Sequence, residues 1–323
     1  MTMRFGLMVI KLLSKYRTEL MGISMLMIML FHTVGGLSVL GIPSFKPFLS
    51  FDFGVEFFLI LSALGCTYSL DKNNVAIDFY KRRLKRIIPT FMIIVTLKFI
   101  IFDVLIYKTI NWQGYLLDLS LLSFFDGNIT YWFILHILTC YLLTPYVYKK
   151  ADSMALWMFI VIITCTIFIY GFNNLHVQNV SLYRYPIYFV SLIYILTAKK
   201  SVDGNGNINR VHLFLLTVFV MFVYVSVTLY IHNSYKYLVY LSVAIPCLVF
   251  VAVLVDKTKN YFFHMIFKYI GVISLELYLL HGSCLLLADM IAPDNVIFRF
   301  VFSFILAITL ATLLHKGIVC LKL

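Results

Sequence analysis

Apolar residues along this chain gather into long runs separated by short, often basic, stretches. The runs fall near 20–40, 53–70, 87–107, 130–148, 154–171, 184–198, 211–231, 237–255, 270–290 and 295–315. A helix crossing the hydrocarbon core of a bilayer needs ~20 mainly apolar residues. Each run is therefore read as one crossing, and the fold class as an all-α polytopic transmembrane helical bundle of about ten helices. Helices are expected because each satisfies its own backbone hydrogen bonds where lipid offers none. The alternating ten-residue strands of a membrane barrel are absent. The stretch 114–125 is apolar but only ~12 residues long, too short to span, and reads as re-entrant or interfacial.

Composition sharpens this picture. Of 323 residues, 62% are hydrophobic and 12% charged, with a mean hydropathy of +0.96. A soluble domain of this size could not hide so much apolar surface from water. The net charge of +12 would by itself raise the question of nucleic acid. Here most basic residues lie between apolar runs, so topology accounts for them and no nucleic-acid partner is implied. With the N-terminus inside, ten crossings place 20 of the 26 basic residues on the cytoplasmic side, with both termini there. Lys46, Lys98, Lys108, Arg184, Lys236 and Arg299 are the remainder.

Residues 1–17 are basic and moderately apolar, without a small-residue cleavage site. They read as an amphipathic cytoplasmic lead-in to a single membrane domain covering 1–323. Asp203-Gly-Asn-Gly-Asn is a flexible turn, not a domain linker. None of the six cysteines forms a Cys-x-x-Cys pair, so they are read as packing residues and no metal site or disulfide framework is expected.

Ionisable groups inside a span cost a few kcal/mol each, so they open functional hypotheses. Four stand out: His32, Glu56, Glu276 and His281. Counted from Arg17, His32 lies ~22 Å along its helix, past the bilayer centre. A neutral imidazole there can take a proton from a hydroxyl as general base; a histidine bridging two helices is the structural alternative. Glu56 opens the second span at comparable depth. It can orient an imidazole and stabilise its protonated form, or simply sit at the interface. Glu276 and His281 are five residues apart, ~140° around a helix, so they face different ways, whereas Tyr278 and His281 share a face.

Phe79-Tyr-Lys-Arg-Arg-Leu-Lys-Arg-Ile-Ile-Pro89 is the densest charge feature and precedes the third span. Arg83 and Arg86, and likewise Arg82 and Arg86, share helical faces. Guanidinium forks suit phosphate oxygens; an anchor to anionic lipid is the alternative. Pro89 is placed just inside the following span, where its missing N–H is tolerated. No Gly-x-x-x-x-Gly-Lys, His-Glu-x-x-His or Gly-x-Ser-x-Gly motif occurs, so ATP hydrolysis, zinc proteolysis and lipase-type chemistry have no support in the sequence.

Five segments, in this order, resemble the acyltransferase-3 family of bacterial membrane acyltransferases. They are Glu19-Leu-Met-Gly leading to Phe31-His32; Gly54-Val-Glu-Phe-Phe with Leu61-Ser-Ala; the Phe79–Pro89 stretch; Tyr131-Trp-Phe-Ile with Tyr141-Leu-Leu-Thr-Pro; and Ser274-Leu-Glu-Leu-Tyr-Leu-Leu-His281. The resemblance implies a ten-helix enzyme of the bacterial cytoplasmic (inner) membrane. Such an enzyme takes an acetyl group from acetyl-CoA, without a metal, and passes it to a hydroxyl of a cell-surface polysaccharide or lipid-linked glycan.

It implies that His32 is the catalytic histidine and that Arg83 and Arg86 form the family's Arg-x-x-Arg of the acyl-CoA step, with Arg82 beside them. Glu56 stands where the family usually has Asp. The family commonly places a basic residue eleven positions before the histidine; here that position is Met21, and Arg17, one turn lower on nearly the same face, is the candidate substitute. Trp132, Tyr278 and His281 are the candidates for acceptor binding.

The partners implied are the carbohydrate acceptor, acyl-CoA and the lipid bilayer, with a homo-oligomer or a polysaccharide-synthesis complex left open. The competing expectation is an exporter of a polysaccharide or its precursor, whose signature would be broken spans and repeat symmetry. No repeat is visible, although Pro186 and Pro246 could kink their helices. A membrane-embedded scaffold is the third reading, weakened by the cost of the buried charges.

Overall fold

The computed structural model describes residues 2–39, 53–150, 184–200, 235–293 and 295–320. The spans expected near 154–171 and 211–231 lie outside the described residues. So do the turn at 203–207, Cys165 and Lys46.

The described residues are helical, with no strand among them. In chain order the helices are α1 (Thr2–Lys15), α2 (Arg17–Val39), α3 (Gly54–Lys72), α4 (Ala76–Lys98), α5 (Trp112–Leu119), α6 (Trp132–Lys150), α7 (Tyr185–Lys200), α8 (Tyr235–Lys257), α9 (Tyr261–Val272), α10 (Ser274–Ile291) and α11 (Val296–Cys320). Among the described residues, four segments are by length and composition able to cross a membrane: Gly54–Lys72, Ala76–Ile106, Ser274–Ile291 and Ile297–Cys320. The chain is thus a polytopic α-helical membrane protein.

Asparagines in the polar breaks start several helices. Asn111 Oδ1 accepts from the Gly114 amide at 2.9 Å, and Asn260 Oδ1 from the Phe262 amide at 2.9 Å. Asn295 Oδ1 accepts from the Phe298 amide at 2.9 Å. Each supplies an acceptor to an N–H that the first turn cannot satisfy.

Three local details differ from the sequence expectations. First, the basic cluster and the third span form one helix. α4 continues without a break into a π-helical stretch, Phe99–Ile106, making a 31-residue segment. Pro89 therefore lies deep inside α4, not in a first turn, and removes an internal hydrogen bond. Second, the apolar run at 270–290 is not one helix. It breaks at Ile273, and the stretch Tyr261–Val272, which carries Lys268 and begins ahead of the expected run, folds as α9. Third, Pro186 falls in the first turn of α7, where a missing N–H costs nothing, whereas Pro246 is internal to α8.

The helices divide into two compact units interleaved along the chain. The first holds α1, α3 from Glu56 onward, α6, α7 and α8. α1 packs on α7 and α8, and its Ile10 and Leu13 are buried. Its end is tied to α8 by Asp256, which accepts from Lys15 Nζ at 3.0 Å and from the Tyr16 hydroxyl at 2.8 Å. Tyr16 and Asp256 raise the Lys15 ammonium above its usual value, and Lys15 and Tyr16 hold Asp256 below its own. Asp256 is neutralised only as pH falls through its lowered value, and Lys15 only as pH rises through its raised one, so the contact persists across the neutral range. Both groups are well exposed and solvent screens them, so it is a weak tie.

Hydroxyl groups stitch the rest of this unit. The Ser62 and Tyr141 hydroxyls meet at 2.8 Å, and those of Thr144 and Tyr188 at 2.7 Å. The Tyr148 hydroxyl donates to Asp71 at 2.9 Å, and Lys199 pairs with the same carboxylate. Such interhelical bonds stand in for the hydrophobic drive that lipid removes.

The second unit holds α2 from Thr18, the span of α4, α5, α9, α10 and α11. α2 and α9 cross backbone to backbone at two glycines. A Cβ on Gly22 would collide with the Phe267 carbonyl, and one on Gly271 with the Thr18 carbonyl. Small residues at such a crossing let helices approach closely. α10 and α11 form a hairpin, joined near its open end by Glu276 and His315. α5 overlaps the stretch 114–125 expected to be re-entrant or interfacial. It is eight residues long and folds against α4, with Tyr115 stacked on Phe99 at 4.6 Å and Lys98 paired with Asp118 at 3.4 Å.

Candidate active site

The second unit carries the histidine singled out from the sequence. His32 stands on α2, seven positions beyond the buried core residue Met25, and is exposed. Its ring lies 5.0 Å, centroid to centroid, from that of His281 on α10, with the planes tilted by 43°. Tyr278 flanks His281 at 5.6 Å, one turn down the same face. Phe31 makes an edge contact to His32 at 5.4 Å. His32 from the first motif is thus brought together with Tyr278 and His281 from the last.

His281 Nδ1 lies 2.6 Å from the Tyr278 carbonyl oxygen. A carbonyl only accepts, so Nδ1 carries the proton, and in the neutral ring the lone pair sits on Nε2. Glu276 faces away from this pair, as its helical angle requires. Its Oε1 lies 2.8 Å from His315 Nδ1 on α11. On α2 itself Glu19 lies nearer the start of the helix, 3.9 Å from His264 Nδ1.

The first unit carries Glu56. It sits in the first turn of α3, fully buried, and its Oε1 accepts from Arg184 Nε at 2.8 Å. Arg184 is itself buried and lies over the Trp132 ring at 5.0 Å. Trp132 meets His136 edge-on at 6.1 Å, and His136 stacks on Tyr185 at 4.0 Å. A guanidinium covered by an indole and paired with a carboxylate is a well-compensated buried charge. Trp132, expected to meet the acceptor, thus joins Glu56 through Arg184.

Arg17 Nε donates to the Leu61 carbonyl at 2.9 Å. Its guanidinium passes so close to Gly65 on α3 that a Cβ there would sit 2.6 Å from Nη2. Arg17 is therefore fixed on the second sequence motif. Arg82 and Arg83 share one turn of α4 and Arg86 lies on the next; Arg83 is half-buried, and Arg82 and Arg86 are exposed.

Sequence reasoning passed over Arg184, His136 and His315. The signals were present. Arg184 was one of six basic residues off the cytoplasmic side and opens an apolar run. His136 lies in the middle of such a run, the same criterion that singled out His32. His315 ends one, next to Lys316.

A helical membrane protein with ionisable side chains held inside its bundle belongs to the class that does chemistry or transport at membrane depth. The acyltransferase domain of the acyltransferase-3 family matches residues 20–316, and the chain belongs to that family. The match covers every segment that carries the resemblance except the first residue of Glu19-Leu-Met-Gly. No curated protein and no solved structure shows a significant match to the chain.

Proposed function

We propose that this acyltransferase moves an acyl group, acetyl in the first instance, from acyl-CoA to a hydroxyl of a cell-surface polysaccharide or lipid-linked glycan. The observation that carries the reading is the placement of His32, exposed on α2, directly beside His281 within a chain of this family. His32 accepts the proton of the acceptor hydroxyl as its oxygen attacks the thioester carbonyl. The carbon–sulfur bond breaks, and the proton passes from the imidazolium to the departing CoA thiolate, so that ester and free CoA are formed. Tyr278 lines the acceptor side of this histidine pair.

Glu56 is retained as the acidic residue of the reaction because of its place in the family's motif. Trp132 stays the candidate aromatic surface for a sugar ring. Arg83 and Arg86, with Arg82 and Arg17, are assigned to the phosphates of the donor, since guanidinium forks match phosphate geometry. The same reading takes the bundle to have ten crossings with both termini cytoplasmic, in the bacterial inner membrane, and leaves room for a homo-oligomer or a polysaccharide-synthesis complex.

The test is mass spectrometry of surface glycans from cells with and without this protein. The reading expects an acyl increment, labile to mild base, only where the protein is present. Glycans that lose their export while any acyl content stays unchanged would favour the exporter.

A further inference from the structure

We infer that His281 is the positioning residue of His32: it accepts the N–H on one edge of the His32 ring and so turns the other nitrogen, with its lone pair, toward the acceptor hydroxyl. This rests on the reading of His32 as general base and assigns the orienting role that such a base needs.

Three observations meet here. The Tyr278 carbonyl takes the proton side of His281 at 2.6 Å, which leaves the lone pair of the neutral ring on Nε2. The 43° tilt between the two imidazoles rules out parallel stacking, and a centroid separation of 5.0 Å lets an edge-to-edge pair bring two nitrogens to roughly 3 Å, the range of a hydrogen bond, after rotation of either ring. The acid carried by α10, Glu276, is engaged by His315 on α11 and lies ~140° around the helix, so it does not serve this edge. The relay then runs from the Tyr278 carbonyl through Nδ1–H and Nε2 of His281 to the N–H of His32.

A histidine base is usually oriented by a carboxylate, which fixes the tautomer and stabilises the imidazolium. An imidazole performs the first task without placing a net charge inside the span, where charge is costly. Contact with Phe31 on α2 and with Tyr278 on α10 restricts both rings, so the pair is held from each side.

The experiment compares kcat and KM of purified protein in detergent or nanodiscs, with acetyl-CoA and the cells' own glycan acceptor. His281→Leu removes the acceptor nitrogen. It is expected to lower kcat on the order of 10²-fold, the usual cost of misplacing a reacting group, with both KM values near wild type. His281→Gln keeps an acceptor at the Nε2 position and is expected to recover most of that loss. His32→Ala is the control. Wild-type kcat in His281→Leu with an inactive His32→Ala would overturn the inference and leave the proposed function standing. Equal losses in His281→Leu and His281→Gln would also overturn it, since shape and not an acceptor would then be what matters. Full activity in His32→Ala would bring down the proposed function and the inference with it. Where His281→Leu fails to accumulate, His281→Met carries the same comparison.

Discussion

His32→Ala should lower kcat for acyl transfer by about 10²–10⁴-fold, the range that a positioned general base contributes. Its folding should hardly change. His32 is exposed, so the substitution leaves no cavity in the packed interior and removes one imidazole of the pair with His281; substitutions at exposed positions mostly fall within about ±0.5 kcal/mol. The combination is diagnostic. A thermal unfolding midpoint equal to wild type together with a collapsed rate places the effect in the chemistry. A lowered midpoint with unchanged kcat would make His32 a structural bridge between α2 and α10, the alternative that the sequence left open.

Arg184→Met should be the most destabilising exchange in the first unit, by about 3–5 kcal/mol, because it leaves the Glu56 carboxylate buried without its cation. The remedy distinguishes this cause from lost packing. Glu56→Gln/Arg184→Met removes both charges, and the double variant should be clearly more stable than Arg184→Met alone. Buried ion pairs replaced as a pair are often close to neutral, and residues in direct contact are not additive. Thermal unfolding of the two variants in one detergent reads the difference. A double variant no more stable than the single one would show that Arg184 matters for its packing on Trp132 and not for its charge.

These two sites were legible in the sequence to different degrees, for physical reasons. An ionisable side chain inside an apolar run is conspicuous because lipid penalises it, and that made His32, Glu56, Glu276 and His281 stand out. The helical angle between Glu276 and His281 also translated directly into different partners, His315 for one and His32 for the other. Pairings between helices distant in sequence did not translate. Nothing in the pattern says that Glu56 meets Arg184, since a basic residue at the start of a span looks like an interfacial anchor until the helix ends are seen together. His136 was hidden the same way, among the aromatic residues of its own motif. The break at Ile273 was passed over although Gly271 and Ser274 flank it, because the apolar run continues on both sides and α9 is itself apolar enough to blend in. The extension of α4 through Pro89 was misjudged because a proline near a span boundary reads as a start, while here neighbouring turns carry the helix past it.

The organisation that results is economical in charge. The arginines of α4 stand where its sequence is polar, in line with a donor rich in phosphate, and the histidine pair lies where the helices are apolar, in line with a neutral hydroxyl as acceptor. The proposed acyl transfer from acyl-CoA would use this division, the donor held by its charged nucleotide end while the thioester needs only a base and an aligned oxygen.

The decisive measurement uses purified protein reconstituted in vesicles with acetyl-CoA labelled in its acetyl group and a lipid-linked glycan from the producing cells. The account predicts label in a base-labile ester on the glycan and one free CoA thiol released per ester, both falling to background in His32→Ala. Vesicles that move the glycan across the bilayer while releasing no thiol and forming no ester would contradict it.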